Sequence, residues 1–174
     1  MTALTIEDRY NGPPDSGNGG YVAGRLAEAA LGAAGLPAVG PDVPWVEVTL
    51  RQPPPLGEKM TLEQVGDGGM TATQGGTLIA SARLLPEAPV AAEAVPAVPT
   101  DVARRAEDAY LGLTTHPFPT CFACGPDREE GDGLRIFPGR VGDDAEGRVR
   151  VASTWTPHES HAEDWHTYVD ERRR

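Results

Sequence analysis

Residues 19–34, GGYVAGRLAEAALGAA, constrain the fold more than any other stretch. The segment is alanine-rich and free of proline until Pro37. At about 100° per residue, Val22, Leu26, Ala29 and Ala33 fall on one stripe of a helical wheel. Most other positions are small and apolar, and only Arg25, Glu28 and Gly32 share a polar sector. A helix apolar over most of its circumference is one buried by its neighbours. Its small side chains let a sheet approach closely. The loop before it, NGPPDSGNGG over 11–20, cannot be helix interior, and Asp15, Ser16 and Asn18 are candidate N-caps.

The stretch beyond the helix supplies the sheet. Val46, Val48 and Leu50 alternate with Glu47, Thr49 and Arg51, the pattern of a half-buried strand, which Pro53–Pro55 and Gly57 end. EKMTLEQV (58–65) predicts a second strand with Met60 and Leu62 on one face. Asp67-Gly68-Gly69 signals a hairpin, MTATQ a short third strand, and Gly75-Gly76 another turn. TLIASARLL predicts the last strand, with Leu78, Ala80, Ala82 and Leu84 on one face. The expected strands run over about 44–52, 58–66, 69–74 and 76–85. One helix followed by strands in hairpin order predicts an α+β fold with an antiparallel sheet.

Past residue 85 the character changes. Residues 86–99 hold four prolines and read as a surface linker. TDVARRAEDAYLGL predicts a short helix capped by Thr100 or Asp101. The stretch from His116 to Val141, then GRVRVASTW, offers two further strands. From about residue 157 the chain is polar, and poor packing is expected there.

Charge and cysteine usage narrow the function classes. With 15 basic and 26 acidic residues the net charge is −11, and Lys59 is the sole lysine. No basic stretch exists beyond Arg172–Arg174, which argues against a nucleic-acid partner. No apolar run reaches the ~18 residues of a membrane span, and the N-terminus lacks a leader's basic and apolar regions. A cytoplasmic protein without a membrane partner is expected. Cys121 and Cys124 are too few and too close together for a secreted disulfide framework.

GNGGYVAGRLAEAA, followed by a strand ending at Arg51 and the prolines 53–55, carries a family resemblance. The first ~85 residues resemble the N-terminal hotdog of the bacterial acyl-CoA thioesterase II family, with its GG-led central helix, Arg-Pro-like strand end and two hairpins. The resemblance implies a hotdog fold, an antiparallel sheet wrapped around a central helix. CFACGPDREEGDGLRIF is similar to the start of a second such unit, opening with C-x-x-CGP and a GLR-type first strand. The expected organisation is therefore a hotdog domain over 1–90, a linker and short helix over 91–115, and an incomplete second hotdog over 116–174. A truncated or frame-altered second half is expected, because its helix and four strands are missing.

The same resemblance implies an acyl-CoA or related thioester as ligand, a homo-oligomer, and no cofactor. Asn18, Gly19 and Gly20 are the leading catalytic candidates. Charge develops on the thioester oxygen, helix-start amides lack intrahelical partners, and glycine permits close approach. Glu28 is the helix's only acid. Relatives often use a helix acid, yet the most family-like position here is Ala27, and Arg25 at i−3 gives Glu28 an ordinary ion-pair role. Tyr21 and Arg51 are the candidate substrate contacts. Arg51 at a strand end suits a CoA phosphate, or simply solvent.

Two other function classes compete. A non-catalytic acyl-thioester-binding or remnant domain fits the missing acid at position 27. A zinc-stabilised module would use Cys121-x-x-Cys124 with His158-x-x-His161. The stretch between those pairs is longer than in a zinc finger, so no metal site is expected. Redox chemistry at C-x-x-C is disfavoured too, since no helix clearly follows the pair. His116, His158, His161 and His166 read as scattered surface histidines.

Overall fold

The computed structural model describes residues 3–38, 43–87 and 96–164. Two units divide the described chain. The first holds strand β1 (Ala3–Thr5), helix α1 (Gly19–Ala33) and strands β2 (Trp45–Leu50), β3 (Lys59–Val65), β4 (Gly69–Gln74) and β5 (Thr77–Leu85). All five strands form one antiparallel sheet in the order β1-β3-β4-β5-β2. The α+β class and the antiparallel sheet expected from sequence are present. No helix among the described residues is long and apolar enough to cross a membrane.

Helix α1 follows its wheel except at Ala33, which the wheel puts on the apolar stripe but which is exposed in the last turn, beyond the covering sheet residues. Tyr21, Val22, Ala23, Leu26, Ala27, Ala29, Ala30 and Leu31 are buried, and it packs against β2, β4 and β5. Arg25 and Glu28 stay half-buried and Gly32 is exposed. A facing row of the sheet is small at its centre: Leu62, Ala72, Ala80 and Leu50 lie side by side across β3, β4, β5 and β2, with alanine on the two middle strands. Alanine on both surfaces is what allows helix and sheet to close together. The helix ends in a Schellman turn. Gly35 takes φ 68°, and the Leu36 amide donates to the Leu31 carbonyl at 2.9 Å.

Gly75 and Gly76, at φ 55° and 83°, make the two-residue turn between β4 and β5. A bulge departs from the sequence reading. Ala72 pairs with Ala80 but Thr73 pairs with Leu78, so Ile79 is an extra residue in β5. That insertion flips the alternation: Ile79 is buried and Leu78 is 38% exposed, not on the core face. The Ile79 carbonyl then accepts from the amides of Arg51 (2.7 Å) and Gln52 (3.2 Å), fixing the exit from β2. Strand β1 is too short to announce itself by periodicity; it pairs with the start of β3.

The second unit holds helix α2 (Thr100–Asp108) against a two-stranded ribbon of β6 (Gly139–Asp143) and β7 (Val149–Ala152). Gly139 lies against the Ala106 carbonyl with no room for a side chain. The cap of α2 is Pro99 with no side-chain bond, so Thr100 is already helical and neither Thr100 nor Asp101 caps it. The GLR segment is not the expected strand: residues 134–138 form no ladder, and Arg135 sits at φ 53°, a left-handed conformation incompatible with one. Nor is His161 a surface residue. It is 4% exposed, edge-on to the fully buried Phe122, with Nε2 at 3.2 Å from the Gly133 carbonyl. The expectation of poor packing from about residue 157 therefore fails at His161, and its part over 165–174, His166 included, lies outside the described residues.

Candidate functional site

The start of α1 is assembled from three directions. Asn18 has extended geometry and its Oδ1 accepts from the Tyr21 amide at 3.1 Å, as an N-cap should. Its own amide donates to the Tyr10 carbonyl at 2.7 Å, and the preceding Gly17 amide donates to the Pro54 carbonyl at 2.8 Å. The Tyr10 and Tyr21 rings stack with centroids 3.8 Å apart. The loop is therefore pinned on both sides before the helix begins.

That pinning decides which amides are taken. Tyr21 donates to the cap, and Val22 donates to the Asn18 carbonyl at 3.0 Å. The half-buried amides of Gly19 and Gly20 have no hydrogen-bond partner among the described residues. They lie at the positive end of the helix dipole, and no acid occupies the first turn to offset it. The space beside Gly19 is bounded by Leu50, whose Cδ1 would lie 3.2 Å from a Cβ at that position. Leu50 thus brings the end of β2 alongside the helix start, with Arg51 exposed immediately after it.

Asn18, Gly19, Gly20 and Tyr21 accordingly come together, and Arg51 follows the strand end that borders them. Tyr21 is buried at 4% exposure, its ring covered by Tyr10, so little of this candidate substrate contact is open to a ligand, and its hydroxyl accepts from Arg25 Nη1 at 3.3 Å. Glu28 stands apart. It is eight residues beyond Gly20, about 12 Å along the helix axis. Its carboxylate meets Arg25 Nε at 3.3 Å and borders an open hollow of about 370 Å³ beside Gly32 and Leu36. Ala27, at the family-like position for an acid, is buried in the core. The sequence reading missed Tyr10, Leu50 and Ile79. Their proximity to residues 17–20 and 51 arises from tertiary folding and the bulge, which leave no local sequence signal.

In the second unit Cys124 Sγ donates to Cys121 Sγ at 3.5 Å. The shared proton and partial burial push ionisation of the Cys124 thiol up, while burial and then the nearby thiol raise that of Tyr110. The histidine pair is engaged elsewhere, His158 Nδ1 with Ser160 and His161 Nε2 with Gly133. No group of three or more His, Cys, Asp or Glu side chains suited to a metal exists among the described residues. A cleft of about 500 Å³ runs past Glu107, Arg135, Trp155 and His158. Glu107 is already spent on the Thr154 amide and hydroxyl, and Arg135 on the Arg128 carbonyl.

No family model, curated protein or solved structure matches the chain.

Proposed function

We propose that the first unit is a hotdog domain of the acyl-CoA thioesterase kind, which binds an acyl thioester with its carbonyl oxygen on the Gly19 and Gly20 amides. One observation carries this reading: two adjacent, uncommitted backbone donors stand at the glycine start of a buried helix. Such donors are fixed before the ligand arrives and point where negative charge builds on the thioester oxygen. The absence of side chains at both positions lets the acyl group reach the backbone. Arg51, exposed just past the end of β2, carries a guanidinium suited to a phosphate of the CoA carrier. A second copy of the chain completes the groove. Strand β2 ends the sheet order, and Trp45 and Leu50 on it are 42% and 40% exposed.

Binding without hydrolysis is the second reading, favoured by the position of Glu28. One residue past the family-like position, which Ala27 occupies, and paired with Arg25, it is poorly placed to activate water at the same carbonyl. Incubation of the full chain with a panel of acyl-CoAs, read by calorimetry for binding and by mass spectrometry for products, separates the two. Gly20→Val, once shown to fold, is expected to weaken binding and to lower any turnover by about 10²–10³. Glu28→Ala is expected to change little. The reverse result, with Glu28→Ala inactive and Gly20→Val active, would make the helix acid the main catalyst. No binding and no products across the panel would remove the thioester reading altogether.

A further inference from the structure

The geometry points to Cys121 and Cys124 as a dithiol that exchanges with a small-molecule disulfide and closes an intramolecular disulfide. The two sulfurs lie 3.5 Å apart, so bond formation asks each to move only a little, about 1.5 Å in total. The backbone that holds them is already closed. The Gly125 amide donates to the Cys121 carbonyl at 2.8 Å, and the Cys121 amide to the Phe118 carbonyl at 2.9 Å. Gly125 itself allows no side chain, because a Cβ would run into the Pro119 carbonyl and the Cys121 backbone. Two more bonds, Leu134 amide to Phe122 carbonyl (2.8 Å) and Ile136 amide to Ala123 carbonyl (2.9 Å), tie the turn to the neighbouring segment. Closure of the bond is then asked of the two side chains, with these backbone bonds kept. The absence of a following helix, which weighs against redox chemistry in the sequence, does not separate the thiols in space.

Exposure sets the order of events. Cys121 is 7% exposed and Cys124 half-buried, so an external disulfide reaches Cys124. In the singly ionised pair the Cys124 thiol donates to a Cys121 thiolate, and the minor form in which that proton sits on Cys121 supplies the attacking thiolate on the more accessible Cys124. That thiolate attacks oxidised glutathione, forming a Cys124–glutathione bond and releasing one glutathione. Cys121 then loses its proton to water and attacks Cys124 Sγ, releasing the second glutathione. Two cysteine thiols are oxidised and one glutathione disulfide is reduced to two thiols.

Intact mass of the full chain after incubation with oxidised glutathione and acid quenching tests this. The wild-type chain is expected to become lighter by two hydrogens and to show no disulfide-linked dimer without reductant. Cys121→Ser is expected to stop at a mixed disulfide, heavier by one glutathionyl group. Cys124→Ser, retaining only the buried thiol, is expected to react at least about tenfold more slowly. A wild-type chain that accumulates the mixed disulfide, forms disulfide-linked dimers or stays unmodified would overturn the proposal. So would a Cys124→Ser chain that reacts as fast as Cys121→Ser.

Discussion

Two glycines near the start of α1 should respond oppositely to the same substitution. A Cβ on Gly17 would lie 3.0 Å from Val22 Cγ2, 3.2 Å from Ile6 Cγ2 and 3.5 Å from Pro54 Cβ. Carbon atoms in good contact sit about 3.5–4.0 Å apart. Val22 and Ile6 are 1% and 0% exposed and have nowhere to retreat. Overpacking of that kind costs about 1–3 kcal/mol, while restricting the unfolded chain returns about 0.4–1 kcal/mol. Gly17→Ala should then destabilise the unit by about 1–2 kcal/mol, a factor of about 5–30 in the opening equilibrium. Gly19→Ala meets only Leu50 Cδ1 at 3.2 Å, on a side chain 40% exposed and free to turn away. The same restriction of the unfolded chain makes it neutral or stabilising by up to about 1 kcal/mol. Native-state hydrogen exchange of a peptide covering α1 reads this unit by itself. Faster exchange in Gly19→Ala than in Gly17→Ala would refute the packing described around the helix start.

Leu26, fully buried in the middle of α1, anchors the helix, and Leu26→Ala should cost about 2–5 kcal/mol in the same exchange measurement. Asn18→Ala removes the acceptor for the Tyr21 amide and should cost about 0.5–2 kcal/mol, with faster exchange concentrated in the first turn. Across β2 and β5, the hydrogen bonds from Arg83 hold the Glu47 carboxyl below the ordinary carboxylate range. A depressed folded-state value contributes stability that is present above that range and fades as pH falls through the lowered value. Glu47→Gln should remove this acid-side slope in low salt. The difference should vanish in high salt, because the pair is exposed and screened.

Helix α1 and four strands were legible because their signals are local. An apolar wheel, alternation in β3 and β4, and paired glycines at turns each depend on neighbours in sequence. The β5 reading failed at one residue for a physical reason. TLIASARLL alternates acceptably in either register, and only the pairing of β4 on both sides of Ile79 reveals the bulge. Leu134-Arg135-Ile136 also alternates like a strand, yet the left-handed backbone of Arg135 and its bond to the Arg128 carbonyl turn the chain aside. His161 shows the same limit. A polar stretch gave no hint that one imidazole would be buried against Phe122, since that contact joins residues far apart in sequence. At the candidate site, Asn18-Gly19-Gly20 could be read from cap and glycine chemistry. Which amides the fold leaves free could not be read, because that depends on Tyr10 and Pro54 carbonyls drawn in from elsewhere.

Whether the Gly19 and Gly20 amides receive a thioester carbonyl can be watched at those two atoms by amide nuclear magnetic resonance. Titration of ¹⁵N-labelled protein with a medium-chain acyl-CoA, with free CoA as control, compares a ligand that carries the carbonyl with one that does not. The Gly19 and Gly20 amide protons should move downfield with the acyl-CoA and stay in place with CoA alone. Resonances that remain unmoved at saturation, or that shift equally with free CoA, would contradict a role for these amides as carbonyl donors.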